Sequence, residues 1–338
     1  MSQAAPSPAR FLACDAFVTA AAYAPGVAAF TLGDGTVRLV RDDAEETAIA
    51  AHDGAALCLA AWADGFVSGG DDGRLVRIGA DGAMEEIFRT GGKWIEQVAA
   101  SPASGALACA AGKEAIVFAR PGAAPRRFTH PATVMGLAFD PKGKRIAAAH
   151  YNGVTLWGIG AENASGAFLE WKGSHTAVLW HPGGEFIVTA MQENALHGWR
   201  LADKQHMRMA GYPAKVKSMT FFAKGKWLAT AGAESVICWP FDGKGPMGRN
   251  AREVGPQGSI CTVVAAHPAR GLIASGHADG SLWLTRFEDD KAACVRAPAA
   301  SAAARTASPA AILSRQPKVA ASTRSASAAV IRSASSRS

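Results

Sequence analysis

None of the six cysteines (Cys14, Cys58, Cys109, Cys238, Cys261, Cys294) lies at C-x-x-C spacing from another. Such scatter supports neither a zinc site nor a disulfide framework and suits a reducing compartment. No uninterrupted apolar run reaches the roughly 20 residues of a membrane span. A Gly-rich phosphate loop, an HExxH pair, a nucleophile elbow and a Ser-His-Asp set at a recognised spacing are all missing. The run Asp71-Asp72-Gly73 lacks the alternating oxygen ligands and terminal Glu of a calcium loop and reads as turn chemistry. His175, His181 and His197 would bind a metal only if the fold gathered them, and no pair stands at i, i+4. The expectation is therefore a non-enzyme with no catalytic residues, cofactor or metal.

What is present is ample apolar content, 49% of 338 residues, which suffices for a packed core. Six of the seven net positive charges fall in residues 299–338, which hold Arg305, Arg315, Lys318, Arg324, Arg332 and Arg337 and no acid. The remaining body carries only +1, too little for the basic stripe of a nucleic-acid reader. The Ala-rich stretch from Phe11 to Leu32 resembles a signal peptide superficially, but Asp15 interrupts it and Pro25-Gly26 makes a turn between two β-rich runs. A cytoplasmic protein without nucleic-acid or membrane partners is expected.

The chain repeats itself. Aligned on a tight turn are FTLGDGTVRLV (30–40), SGGDDGRLVRI (68–78), CAAGKEAIVFA (109–119), AAHYNGVTLWG (148–158), TAMQENALHGW (189–199), TAGAESVICWP (230–240) and SGHADGSLWLT (275–285). Six intervals from Gly35 to Gly280 average about 41 residues, the period of propeller blades. Each copy has an apolar or alternating run, a Gly or Pro turn, and a second short run rich in β-formers. Asp-Gly and Asn-Gly supply the positive φ that a tight hairpin needs. The pattern predicts an all-β propeller of four-stranded antiparallel blades, with seven recognisable repeats and almost no helix before residue 290.

These residues resemble the WD-repeat β-propellers, bacterial members included. In that family each blade is stitched by a His before the first strand, a Ser or Thr in the second, an Asp in the turn and a Trp in the third. The second repeat offers His52, Ser68 and Asp72, with Arg77 or Ile78 in the Trp place. The fourth has His130, Asn152 and Trp157, with Ala148 instead of a hydroxyl. The fifth has His175, Thr189 and Trp199, with Glu193 in the Asp place; the sixth has Thr230 and Trp239; the seventh has Ser275 and Asp279, with Leu284 in the Trp place. No repeat keeps all four. The resemblance implies a non-enzymatic scaffold that binds a protein or peptide on one face. The alternative is a propeller enzyme or small-ligand binder that gathers chemistry around the central channel.

Three regions follow: residues 1–17 with a candidate ring-closing strand from Phe11 to Phe17, left without a partner unless an eighth blade follows, the propeller over 18–298, and a basic Ala/Ser/Arg-rich tail over 299–338. The tail has the composition of a disordered segment, and a degraded or frameshifted eighth blade would give the same composition. In a propeller the loops joining outer to inner strands share a face with the turns after the second strands. Tyr151, Lys172, His175, Met191, Gln192, Glu193, Tyr212 and Lys215 fall in these loops. Aromatic, Met and basic residues together have the composition of an interaction surface.

Overall fold

The computed structural model describes residues 12–42, 45–160, 165–298, 312–314 and 330–331. The chain is an all-β propeller, and a single 3-10 turn, Ala223–Gly225, is the only helix among the described residues. The first blade is β1 (Val18–Ala24), β2 (Val27–Leu32), β3 (Thr36–Arg41) and β4 (Glu46–Ala50). The second is β5 (Ala56–Trp62), β6 (Gly65–Gly70), β7 (Arg74–Gly79) and β8 (Met84–Arg89). The third is β9 (Gln97–Ala100), β10 (Leu107–Ala111), β11 (Glu114–Phe118) and β12 (Arg126–Thr129). A six-stranded sheet follows: β13 (Gly136–Phe139), β14 (Arg145–Gly158), β15 (Ala167–Trp180), β16 (Phe186–Met191), β17 (Leu196–Arg200) and β18 (His206–Met209). The last two blades are β19 (Met219–Phe222) to β22 (Arg252–Val254), through β20 (Trp227–Thr230) and β21 (Val236–Pro240), and β23 (Cys261–Ala266) to β26 (Lys291–Arg296), through β24 (Leu272–His277) and β25 (Leu282–Arg286).

Among the described residues six blade sheets therefore stand where seven separate blades were expected, and this corrects the count. The fourth and fifth repeats share one sheet. β14 contains the fourth hairpin: it reverses near Asn152 and Gly153, both at positive φ, and Ile159 N–H donates to Lys144 O at 3.0 Å. Elsewhere an irregular loop separates an outer strand from the next inner one. Here the connection stays extended because Tyr151 pairs with Ser174 and His175 with Met191, so β15 runs through both repeats.

Strands inside a blade are buried on both faces because a neighbouring sheet covers each side. β2, β6, β10 and β16 are buried at every residue. Alanine makes close approach possible, as at Ala108, Ala110, Ala147 and Ala149, all 3% exposed or less. Outer strands β4 and β8 face solvent along most of their length. One apolar cluster bridges each successive pair of sheets; that between the first two joins Val27 and Leu39 to Phe66 and Ile78. Trp62 and Trp180 also cross between repeats, their indole N–H groups donating to Gly105 O and Ala138 O.

The expected closing strand does not form over its described part. Residues 12–17 have no strand pairing. They lie on the first blade instead: Gly33 N–H donates to Phe17 O at 2.8 Å, and Arg38 reaches Ala13 O and Asp15. Most of the 299–338 tail lies outside the described residues. Within it, β27 (Ile312–Ser314) and β28 (Val330–Ile331) pair in parallel.

Candidate functional site

Polar side chains inside the blades form short networks, because a buried donor or acceptor without a partner is costly. In the second blade His52 Nε2 lies 2.9 Å from Ser68 Oγ and Nδ1 lies 3.0 Å from Asp72 Oδ1. Asp72 also accepts the backbone N–H groups of Asp53 and Arg74. In the fourth repeat Trp157 Nε1–H donates to His130 Nε2 at 3.0 Å. Asn152 is not in that chain; it is exposed at φ +68° and accepts Gly173 N–H. In the fifth, His175 Nδ1 meets Thr189 Oγ1 at 2.8 Å, and the Trp199 ring packs 5.7 Å from the imidazole. In the last blade Ser275 pairs with His277, which the sequence reading did not single out, while Asp279 accepts Ser281 N–H.

Three residues expected on the partner surface lie inside instead. His175 is fully buried in its Thr189 contact. Tyr212 is also buried, its hydroxyl 2.7 Å from Thr230 Oγ1 and accepting the Trp239 indole N–H. Tyr212 occupies in the sixth repeat the place that His holds in the second, fourth and fifth. Met191 is buried as well, whereas Tyr151, Lys172, Gln192, Glu193 and Lys215 are exposed.

The exposed members lie where loops and hairpin turns meet. A pocket of about 280 Å³ opens beside β15, lined by Trp171, Lys172, Met191, Glu193, Ala195 and Arg208. The unbroken path of β15 places Trp171 and Lys172 beside the Met191–Ala195 turn. Gln192 N–H donates to Ser174 O, and Glu193 Oε1 accepts Ser174 N–H. Arg208 comes from the outer strand, paired with His197. The sequence reading missed Trp171 and Arg208, because only the joining of the fourth and fifth repeats brings them to one rim.

Beneath the rim, the Trp171 ring stacks on His197 at 3.9 Å and 17°, and His206 packs against both rings. Neither ring nitrogen of His197 has a hydrogen-bond partner. Burial, followed by the nearby His175, His206 and Arg208, pushes its pKa down to about 3, so the ring is neutral. His175 and His197 lie 6.5 Å apart between ring centroids, but His181 packs elsewhere, against Phe186 and Phe221. Among the described residues no three His, Cys, Asp or Glu side chains are placed to hold a metal ion.

Three large apolar side chains are exposed on the same loops and turns: Trp94 at 58%, Tyr151 at 52% and Met135 at 36%. The loop bearing Met135 leans on the third blade's turn, with His130 N–H on Lys113 O and Val134 N–H on Gly112 O. Lys93, beside Trp94, and Arg127 both reach Glu114 of that turn. Exposed aromatic and Met side chains thus recur from the third blade into the six-stranded one.

No known protein family matches the chain, and no curated protein matches it. Among solved structures, the chain is similar to the computationally designed Ika8 protein, with a TM-score of 0.69 at 17% identity over 85% of this chain and 89% of that one. At that identity the likeness shows the fold alone.

Proposed function

We propose that the protein is a non-enzymatic interaction scaffold of the WD-repeat type, binding a protein or peptide partner across this loop-and-turn face. The observation that carries the reading is the run of exposed Trp94, Met135 and Tyr151 leading to the Trp171 pocket with Lys172, Glu193 and Arg208 on its rim. Aromatic and Met side chains supply buried area on binding, and Arg is enriched at interface centres. The WD-repeat reading is supported by the His52–Ser68–Asp72 set and by the Trp157–His130 bond. The scattered cysteines, none at C-x-x-C spacing from another, support a reducing, cytoplasmic setting.

The test is capture of partners from lysate with Tyr151→Ala and with the Lys172→Glu, Arg208→Glu pair, each checked for an unchanged thermal midpoint. Loss of a central anchor weakens binding by roughly thirtyfold, about 2 kcal/mol. Retention of every partner by both folded variants rejects this face.

A further inference from the structure

The Trp171 pocket separates an apolar wall from a charged rim. On β18, Arg208 pairs directly with His197 of β17 and so points to the same face of the sheet, where the Trp171 ring stacks on His197. His206, two residues before Arg208, points to that face as well and packs against Trp171. The indole is thus held in place before any ligand arrives, and Met191 and Ala195 complete the apolar wall. At about 280 Å³ the pocket is smaller than the roughly 300–1,000 Å³ of a site for a drug-sized molecule; it suits one side chain of a larger partner. The charge around it is mostly positive. Lys172 and Arg208 are exposed, whereas Glu193 is engaged by the backbone, its Oε1 accepting Ser174 N–H. Asn194 of the same turn donates to Pro213 O at 3.3 Å, which brings the 211–218 loop alongside with exposed Lys215 and Lys217 and no acid. Glu170 points to the opposite side of β15 from Trp171, and Glu234 of the next turn accepts Gly258 N–H.

We propose, resting on the scaffold reading above, that this pocket selects an acidic peptide: one apolar side chain enters against Trp171 while Arg208 and Lys172 bind an Asp or Glu carboxylate beside it. Arg208 offers a planar fork that matches a carboxylate with two parallel hydrogen bonds, and Lys172 adds a mobile point charge. Lys215 and Lys217 extend the same preference to acids further along the peptide. A basic peptide would set its charge against these cations, with Glu193 already occupied, so the rim rejects it as well as favouring its opposite. A single-stranded nucleic acid would also find an aromatic ring and cations here, but residues 1–298 carry a net charge of only +1, and the pocket admits one side chain rather than a run of stacked bases.

The experiment is panning of a random heptapeptide phage library on the full chain. Enriched peptides are expected to carry Leu, Ile, Met or Phe within two residues of Asp or Glu. Synthetic copies with that acid changed to its amide bind at least about tenfold more weakly. The Lys172→Glu, Arg208→Glu variant, checked for an unchanged thermal midpoint, loses these peptides and enriches Lys- or Arg-bearing ones, a reversal that damage to the fold does not produce. The same variant separates the pocket from the basic 299–338 segment, whose charge it leaves intact. Peptides held equally by this variant but lost with Tyr151→Ala reject the pocket and keep the face; peptides indifferent to both substitutions reject the face too. Enrichment of basic peptides by the parent chain, or of none, overturns the inference. So does a short oligo-dT strand that displaces the peptides and is itself lost in the double variant, which assigns the pocket to nucleic acid.

Discussion

The Trp239 indole N–H donates to the Tyr212 hydroxyl at 2.6 Å, the role that His130 Nε2 plays for Trp157 two repeats earlier. A phenol replaces an imidazole because the site requires one polar atom that meets both an indole and a strand hydroxyl. Tyr212 therefore belongs to the blade, and burial raises its pKa to about 12.

Tyr212→Phe keeps the ring and strands the Trp239 N–H. Thr230 retains its bond to Ile237 O, so the loss is confined to the indole side and the hydroxyl contact. Urea unfolding is expected to show a cost of about 1–3 kcal/mol. No loss beyond error removes Tyr212 from the network.

Stability falls in mild acid through the buried histidines. Burial lowers His130 to about 4 and His197 to about 3. Both are neutral in the fold, while the unfolded chain takes up protons near pH 6.5. Their contribution is complete above pH 6.5 and is lost as pH falls from there toward 4, at about 1.4 kcal/mol per pH unit for each histidine. His197→Phe preserves the stack on Trp171 and removes one proton site, so its acid-unfolding midpoint should move to lower pH. An unchanged midpoint in thermal melts across pH 4–7 counts against this account.

Asp72 acts in the same direction at lower pH. Burial alone would raise its pKa, but the N–H groups of Arg74 and Asp53 and the His52 ring outweigh that and hold it low. Its stabilisation is present above about pH 3.9, the ordinary Asp value, and is lost as pH falls through the lower folded value. Asp72→Asn should cost about 1–3 kcal/mol at pH 7, because three charge-assisted contacts weaken together. Chemical denaturation at pH 7 and pH 3 checks both parts: the gap between variant and parent narrows in acid.

Gly173 sits at φ +123° on the path between the two hairpin turns, and a Cβ there would lie 2.8 Å from Met191 Cε and 3.0 Å from Glu193 Oε1. Both obstacles are ends of flexible side chains and move aside. The cost to stability of Gly173→Ala is then mainly the backbone angle, about 1 kcal/mol or somewhat more. Met191 and Glu193 are displaced at the pocket, so partner capture should fall further than the thermal midpoint predicts. Parallel measurement of melting and capture separates the two.

The repeat period and the alternation of β-formers with Gly and Asp turns were legible in the sequence, because strand periodicity and positive-φ turns are local properties. So were His52–Ser68–Asp72 and the pairing of Trp157 with its His, where the residue types themselves carry the bond. Tyr212 was not legible as a blade residue, since a tyrosine in a loop has the same local signature whether its hydroxyl faces water or a neighbouring threonine. The sequence alone determined an all-β repeat fold with no recognisable catalytic motif. Tertiary structure decided the count of sheets and the place of the pocket. Tyr151–Ser174 and His175–Met191 are long-range pairings, and they turn an expected loop into the continuous β15 that brings Trp171, Glu193 and Arg208 to one rim.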